Sequence, residues 1–475
     1  MATDAGFNRE QMNLRENSVK HWLAIAALLI AIPVRAAEST DDNAELLQAV
    51  RALEERIEAM SRRIVDLEAE RNAARQDAAN AGKLKAPAAP SDTNSARNPQ
   101  DATSLPGTVA IGPSAPAWPV ASGGETARVT LSGQINRALL YGDDGEISKV
   151  RNVDNNNSST RLRIFAMGEI NPDTFVGGQI ETEIRSNSSA SVSLLADGSN
   201  SAASTSFTER QIEFILFSRR YGRLRLGQGS TASDESTQAD LSDTALAGYV
   251  QVSDFNGGFQ FRETNTGDPG PAVTNVFNYF SGLGRDDRIR YDAPSWHGIT
   301  PSVSAADGGA WDIALRHAGE SDNFRVVGAL AYADATSRDD PLPAVTPLDS
   351  KQLSGSLAML YRPLGLSLSL AAGKRDTDFT DSQGNPMHPR LRYAKLGWQH
   401  RFFSVGNTAF SIDFAQNKSL ALAGDVARAS GFQAVQHFDR IGTDLFFGYR
   451  DERLDREGMS FQPLRAVMSG LRVRF

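Results

Sequence analysis

Apolar and polar residues alternate along the chain from position 127 to its carboxyl terminus. In residues 127–140 one side of this alternation is apolar and the other is polar: Val129, Leu131, Ile135 and Leu139 against Thr130, Ser132, Gln134 and Asn136. Because successive side chains of a β-strand point to opposite faces, a period of two predicts a strand with one apolar face. Similar alternation predicts further strands at 159–170, 174–186, 207–218, 221–229, 287–294, 298–306, 310–319, 323–334, 351–363, 365–376, 390–401, 407–417, 430–440, 442–450 and 465–475.

The polar faces of these predicted strands carry charges. Arg161 and Arg163 share a face in the second segment, and Glu181, Glu183 and Arg185 share one in the third. A soluble β-sandwich would have to bury such a face, whereas a water-filled lumen hydrates it. Most segments have about the nine to eleven residues that a tilted membrane strand needs. The pattern therefore predicts an all-β domain over residues 127–475, a 16-stranded antiparallel transmembrane β-barrel, with fourteen or eighteen strands as alternatives.

The amino-terminal part of the chain begins with an apolar run at residues 22–32. This run follows Lys20 and precedes the small residues Val34 and Ala36. At about eleven residues it is too short to span a bilayer as a helix, and it suits the core of a signal peptide. We therefore predict a signal peptide over residues 1–36, with Met12 as an alternative start to Met1.

Residues 37–75 are predicted to form an α-helical coiled coil. Apolar residues recur there at alternating steps of four and three: Leu46, Val50, Leu53, Ile57, Met60, Ile64 and Leu67. A lone helix would expose this seam, so the helix requires partner helices. The β-branched residues at alternate seam positions favour a dimeric coiled coil. The run from Arg63 to Glu68 instead resembles short trimeric coiled coils, in which these two side chains pair between helices. We favour a trimer, with an amphipathic helix packed on another domain as the alternative.

Residues 76–126 change character again. Seven prolines are spread among Ala, Ser, Asn and Gly residues in this segment. Such a composition buries too little apolar surface to offset the entropy of ordering. We therefore predict a semi-extended linker between the coiled coil and the barrel.

Composition limits the classes of function. The chain of 475 residues has no cysteine, which excludes disulfides, thiolate nucleophiles and Cys-based metal sites. A mean hydropathy of −0.35 argues against a helical membrane span in the mature form. The formal net charge of −8 gives no indication of nucleic acid as a partner. None of the six histidines lies in a recognisable catalytic motif, so we expect neither an enzyme nor a cofactor.

The last eleven residues, 465–475, have the same two-residue period. Leu471 and Val473 alternate with Arg472 and Arg474, and the sequence ends on Phe475. An aromatic residue in this position suits the interface between membrane and water. The segment resembles the carboxyl-terminal signature of bacterial outer-membrane barrels. The resemblance implies barrel assembly machinery as a partner, with Phe475 as the assembly signal.

Three further motifs resemble the Gram-negative trimeric porins. They are residues 159–163 with Gly168-Glu169, residues 209–211 leading to 221–228, and residues 288–294, in that family's order. The coiled coil is similar to that of a porin subset that includes the DcaP-like group. The resemblance implies a homotrimer in the cell outer membrane of a Gram-negative bacterium, with the coiled coil in the periplasm. Two departures are Gln228, where many general porins carry arginine, and the absence of a Pro-Glu-Phe-Gly-Gly motif in the long loop.

The longest predicted loop, at about residues 230–286, separates the fifth and sixth predicted strands. A loop of this length in a compact domain is usually functional, and the resemblance implies the constriction loop of porins. Because the loop is acidic and the inward strand faces are basic, we expect a transverse field across the narrowest section. An acidic extracellular loop is the alternative. The candidate constriction residues are Arg161, Arg163, Arg185, Arg223, Arg225 and Arg290 on the wall, and Asp234, Asp240 and Asp243 on the loop.

These patterns together predict an outer-membrane porin. Small hydrophilic solutes and ions would diffuse passively through a charged constriction in a barrel surrounded by outer-membrane lipid. The alternative function is structural: an outer-membrane barrel that its coiled coil anchors to the cell wall, with peptidoglycan as the partner of the coil.

Overall fold

A computed structural model describes residues 118–121, 127–196, 206–336, 350–377 and 379–475. Strands β1 to β7 are Trp118–Ala121, Ala127–Asp143, Ser148–Asp154, Arg161–Asn171, Thr174–Arg185, Ser206–Ser218 and Gly222–Ser230. Strands β8 to β14 are Gln260–Arg262, Pro269–Ala272, Arg285–Asp292, Ile299–Ala306, Trp311–Glu320, Phe324–Asp334 and Lys351–Tyr361. Strands β15 to β21 are Leu366–Asp376, Arg390–Phe403, Gly406–Lys418, Val426–Phe438, Thr443–Arg456, Met459–Ser460 and Leu464–Arg474.

Two short helices, α1 (Ser253–Asn256) and α2 (Val273–Val276), lie between β7 and β10. Strands β8 and β9 of the same segment pair only with each other. Among the described residues, no helix has the length and apolar character needed to cross a membrane.

Sixteen strands form a closed antiparallel wall. Each pairs with its neighbours along the chain, from β2 through β4–β7 and β10–β19 to β21. β21 then pairs with β2, from Gln134↔Arg474 to Asp143↔Arg465. Closure satisfies the backbone groups that an open sheet would expose at its edges. The predicted all-β, 16-stranded antiparallel barrel is confirmed, and the strand bounds agree to within a few residues.

The wall strand that follows β2 is interrupted. β3 pairs with the second half of β2, and β4 pairs with the first half, from Ala127↔Gly168 to Gln134↔Arg161. Between β3 and β4, residues 155–160 turn into the barrel. Asn136 Nδ2 holds this turn by donating to Ser158 O at 2.7 Å. The predicted strand at 159–170 corresponds to β4 alone, and β3 was not predicted, because the Asn-rich run before residue 159 breaks the alternation.

β1 also belongs to the sheet. It pairs with β2 from Trp118↔Leu131 to Ala121↔Arg128. Because β21 reaches only Gln134, β1 occupies part of the β2 edge that β21 leaves. These four residues fall within the predicted linker. The predicted signal peptide (1–36), the coiled coil (37–75) and the rest of the linker lie outside the described residues.

Alternate wall residues face opposite sides of the sheet. On β10, Arg288, Arg290 and Asp292 are buried inside the barrel, whereas Ile289 and Tyr291 are 55% and 41% exposed on its outer surface. The same alternation of exposed Leu, Ile, Val and Phe with buried Ser, Ala and charged residues continues along most wall strands. An outer surface of this composition is stable against hydrocarbon, and a polar inner surface is stable against water.

Phe475 closes the seam between β2 and β21. Its backbone N donates to Gly133 O at 3.0 Å, and its carbonyl oxygen accepts from Gly133 N at 2.7 Å. The phenyl ring lies over Gly133, where a Cβ would be 2.7 Å from the ring Cζ. The ring can therefore lie against β2 only because residue 133 has no side chain.

Replacing Gly133 by alanine should weaken the seam. The added Cβ would overlap both the Phe475 ring and the Arg161 carbonyl oxygen, which would be 2.8 Å away. Such overpacking typically costs about 1–3 kcal/mol. We expect a lower midpoint of thermal unfolding in detergent. Gly168→Ala is the matched control, because the nearest atom to its Cβ would be 3.8 Å away. Equal midpoints for the two variants would contradict this account of the seam.

Candidate functional site

The segment between β7 and β10, residues 231–284, lies inside the barrel, and we call it the inner loop. It makes hydrogen bonds to inward side chains of successive wall strands: Ala232 N to Asp312 on β12 (3.2 Å), Ala239 N to Ser356 on β14 (3.0 Å), Gly248 O to Lys395 on β16 (2.9 Å) and Asn256 Nδ2 to Glu452 on β19 (2.9 Å). The inner loop therefore follows the inner wall through a large part of the barrel circumference.

An apolar core attaches the inner loop to one side of the wall. Its five phenyl rings are each at most 2% exposed: Phe255, Phe259, Phe261, Phe277 and Phe280. They share one cluster with inward residues of β2, β16, β19 and β21: Leu140, Leu391, Phe446 and Met468. Because burial of one such ring contributes roughly 1.5–3 kcal/mol, this core is a large part of what holds the inner loop.

Two of the predicted acidic constriction residues pair with bases on the wall. Asp240 Oδ2 accepts a hydrogen bond from Lys395 Nζ on β16 at 2.8 Å. Asp243 Oδ2 lies 2.9 Å from His437 Nε2 on β18. Burial opposes the ionisation of Asp240, but Lys395 holds the pKa of this carboxyl below its usual value. Asp240 and Asp243 therefore anchor the inner loop to a sector of the wall that the six predicted arginines do not share.

The third predicted acidic residue, Asp234, is 3% exposed. Its Oδ1 accepts a hydrogen bond from Ser281 Oγ at 2.8 Å, which joins the two ends of the inner loop. The adjacent Glu235 lies 3.7 Å from Arg285, the first residue of β10. Glu235 therefore lies in ion-pair contact with β10, one of the arginine-bearing strands.

All six predicted arginines occupy inward positions, and three of them belong to a cluster on β4–β6. This β4–β6 cluster contains Arg161, Arg163, Arg185 and Arg210 around Glu181 and Glu183. Arg210 Nε lies 2.6 Å from Glu181 Oε1. Arg210 was not among the predicted constriction residues. A bulge places Glu181 opposite Gln211 and Thr182 opposite Glu209, so Arg210 turns inward out of the regular alternation.

The other three predicted arginines belong to a β7–β10 cluster. It contains Arg223, Arg225, Arg288 and Arg290, together with Glu213 and Asp292. Arg290 donates to Asp292 Oδ1 at 2.8 Å and to Thr231 O at 2.8 Å, so it also holds the first residue of the inner loop. Arg288 was not among the predicted constriction residues, although it precedes Arg290 by two residues, the spacing that places both on one face.

Each cluster holds four arginines and two carboxylates. Fixed charges of one sign along a narrow, low-dielectric wall create a potential that attracts ions of the opposite sign. The arrangement can therefore concentrate anions along β4–β10. The sector with Lys395 and His437 differs, because there the inner-loop carboxylates pair with the wall bases.

A family model described as Gram-negative porin matches residues 81–456. The chain belongs to the Gram-negative porin family. Comparison with curated proteins gives no match for this porin. As a member of this family, the chain forms an outer-membrane porin channel.

Solved porin structures are similar to this porin at low sequence identity. The anion-selective porin from Comamonas acidovorans is 15% identical, covering 74% of this chain and 100% of its own, with a TM-score of 0.49. Salmonella typhi OmpF in complex with daunomycin is 13% identical, with 75% and 100% coverage and a TM-score of 0.49. The channel DcaP of Acinetobacter baumannii is 12% identical, with 75% and 99% coverage and a TM-score of 0.46.

The half-buried carboxyl of Asp254 in α1 joins the inner loop to two other inward segments. Its Oδ1 accepts from Asn156 Nδ2 at 2.7 Å, and its backbone oxygen accepts from Ser189 Oγ at 2.6 Å. The Tyr249 hydroxyl donates to its other carboxyl oxygen. Burial raises the pKa of Asp254 to about 6, although the hydrogen bonds from Tyr249 and Asn156 oppose this increase.

Breaking the buried pair between Asp240 and Lys395 should destabilise this porin. The Lys395 side chain is fully buried, so Asp240→Asn leaves a desolvated charge without its partner, a change that typically costs about 3–5 kcal/mol. Asp376→Asn is the matched control, because its partner Lys374 is 53% exposed and such surface pairs contribute about 1 kcal/mol or less. Urea unfolding in detergent measures both changes. Equal losses of stability would contradict an anchoring role for Asp240.

The stability of this porin should depend on Asp254 between about pH 4 and pH 6. The folded-state pKa of about 6 lies above the ordinary pKa of an aspartate, 3.8, so the folded state binds this proton more tightly. The contribution is fully present below the unfolded-state pKa and is lost as the pH rises through the folded-state value. Asp254→Asn should flatten this part of the profile of unfolding free energy against pH. An unchanged profile in the variant would count against Asp254 as the titrating group.

Proposed function

We propose that this porin is a passive channel for small hydrophilic solutes with a preference for anions. Its narrowest section lies between the inner loop and the arginine clusters of β4–β6 and β7–β10. The observation that carries the proposal is the excess of arginines over carboxylates in both clusters. No energy source and no cofactor take part, because the solute moves down its own gradient.

The pairing of the inner-loop carboxylates determines the sign of the preference. If Asp240 and Asp243 faced the lumen, they would oppose the arginines and attract cations. Lys395 and His437 instead engage them at 2.8 and 2.9 Å. An anion moving along β4–β10 then meets a net positive wall, whereas a cation meets little uncompensated negative charge.

Conformation contributes to passage as well as charge. A loop that moved freely in the lumen would open and close the path. The apolar core and the polar anchors favour one position of the inner loop, because each phenyl ring would have to leave a fully buried site. We therefore expect steady single-channel currents with few closures.

We further propose that the functional unit is a homotrimer. Support comes from the seam of Leu46, Val50, Leu53, Ile57, Met60, Ile64 and Leu67, and from the pair formed by Arg63 and Glu68. The coiled coil lies in the periplasm in this proposal, because it precedes β2 on the side of the short turns. Outer-membrane lipid surrounds the barrel, barrel assembly machinery recognises Phe475, and peptidoglycan is a candidate partner of the coil.

The test is the reversal potential of the purified protein in a planar bilayer with a potassium chloride gradient. We expect a reversal potential whose sign shows that chloride is more permeant than potassium. Replacing Arg163 and Arg225 by glutamine should move it toward zero, because the net positive charge of both clusters falls. Arg453→Gln is the control: this side chain is 64% exposed beside Asp451, and its loss should leave the potential unchanged.

A cation-selective potential in the wild type would overturn the anion preference. A negligible conductance would overturn the channel itself and favour a structural barrel anchored to the cell wall.

A further inference from the structure

An apolar patch lines the lumen on the short-turn side of the arginine clusters. Five inward positions of β4, β5 and β6 carry large apolar side chains, and we call them the lumen patch: Phe165, Met167, Phe175, Ile215 and Phe217. Inward positions of a membrane barrel are normally polar because they face water. None of these five residues belongs to the core that holds the inner loop. The lumen patch is therefore unexplained by packing of the inner loop.

The register of the three strands gives the lumen patch its shape. Phe175 and Phe217 are directly opposite each other, with ring centroids 6.1 Å apart and planes at 29°. In the next row, Gly177 stands between Met167 and Ile215. A Cβ on Gly177 would be 2.1 Å from Ala166 O, so no side chain can fill this position. The patch is thus a shallow hollow with stacked rings along one border.

A cation without a carboxylate partner lies at one end of the hollow. Arg223 is directly opposite Phe217 on the neighbouring strand, and its guanidinium carbon lies 5.6 Å from the Phe217 ring centroid. Arg223 is 6% exposed, and its Nε has no hydrogen-bond partner. Among the described residues, no carboxylate is in ion-pair contact with Arg223. This guanidinium can therefore accept an anion without first breaking an ion pair.

We propose that the lumen patch binds small aromatic carboxylates during their passage. The ring of such a solute lies over Gly177 beside Phe175, with the buried Ile215 beneath it, and its carboxylate accepts hydrogen bonds from Arg223. Aromatic rings gain from offset stacking beyond their buried area, and charge-assisted hydrogen bonds to arginine are the strong ones. An aliphatic anion such as acetate would make only the second contact. The proposal rests on the proposed anion-preferring channel and adds a class of solute to it.

Charge complementarity favours this occupant over a segment of the chain itself. The predicted linker, residues 76–126, is composed mainly of small uncharged residues and prolines, and has no run of acidic residues that would satisfy Arg223. A solute that combines a planar ring with one carboxylate can pack its ring in the hollow and pair its carboxylate with Arg223.

The experiment measures how benzoate and acetate reduce the chloride current of the full-length protein in a planar bilayer. We expect benzoate to reach half of its maximal effect at a concentration about fivefold lower than acetate, since one stacking contact contributes about that factor. The double variant Phe175→Ser, Phe217→Ser should bring the two anions to within about twofold of each other. Arg223→Gln should weaken the effect of both anions.

The matched control is Phe214→Leu. Phe214 lies on β6 with Phe217, but it is 48% exposed on the outer surface. Its replacement should leave the fivefold difference intact, which separates loss of the lumen patch from a general disturbance of β6.

Equal effects of benzoate and acetate on a conducting wild-type channel would overturn this inference and leave the proposed channel standing. An unchanged difference in the double serine variant would also overturn it. Benzoate sensitivity that arises only after deletion of residues 37–117 would assign the patch to the chain's own segment, again against the proposal. A wild type without conductance would instead remove the proposed function.

Discussion

Complete pairing of backbone groups in a closed sheet is the constraint on which this molecule depends. Hydrocarbon offers no hydrogen bonds, so a spanning sheet must satisfy every N–H and C=O group within the protein. Pairing of β21 with β2 along Gln134 to Asp143 meets this requirement. Once the wall is closed, each side chain faces either the outer surface or the inside of the barrel. Ile289 and Tyr291 face the outer surface, and Arg288 and Arg290 face the inside.

Inside the wall, apolar and polar interactions contribute differently to holding the inner loop. The phenyl rings of the inner loop supply a large part of its attachment, whereas the buried pair of Asp240 and Lys395 fixes its position. A buried pair of this kind adds little net stability over an apolar replacement, because desolvation offsets most of the attraction. Its value lies in specificity: only one placement of the inner loop leaves Lys395 with a partner. The same pairing neutralises negative charge on the inner loop, so the attachment of the inner loop and the proposed anion preference share one cause.

The strands of the wall and the extent of the inner loop could be predicted from the sequence, whereas the contacts of the inner loop could not, and the reason is physical. A strand repeats every two residues, so an alternation such as Leu471, Arg472, Val473 identifies both the strand and its lumen face. The inward direction of Arg161, Arg223 and Arg290 could be predicted for the same reason. The inner loop has no period. Nothing in the local sequence of Asp240 or Asp243 indicates that each would find a base on β16 or β18, more than a hundred residues later.

The departures from regular alternation could not be predicted from the sequence either. Arg210 faces the lumen because of a bulge opposite Thr182, and β3 is separated from β4 by an inward turn. Phe175 and Phe217 occupied lumen-facing positions of a predicted strand pair, but an aromatic residue at such a position reads as ordinary strand composition. Only the register, which sets the two rings opposite each other and beside Arg223, makes them a candidate binding surface.

The seam at Phe475 also has a kinetic consequence. It joins the two ends of the barrel sequence, and Arg472 Nη1 contacts Ser158 Oγ across 314 positions of the chain. Contacts between residues so far apart in the sequence form late. The entropic cost of closing such a long loop must be overcome before these contacts contribute any stabilisation. Throughout that interval β2 presents an unpaired edge that another chain could join. Closure of the barrel therefore competes with aggregation during folding. The rate at which β21 pairs with β2 determines which of the two outcomes prevails.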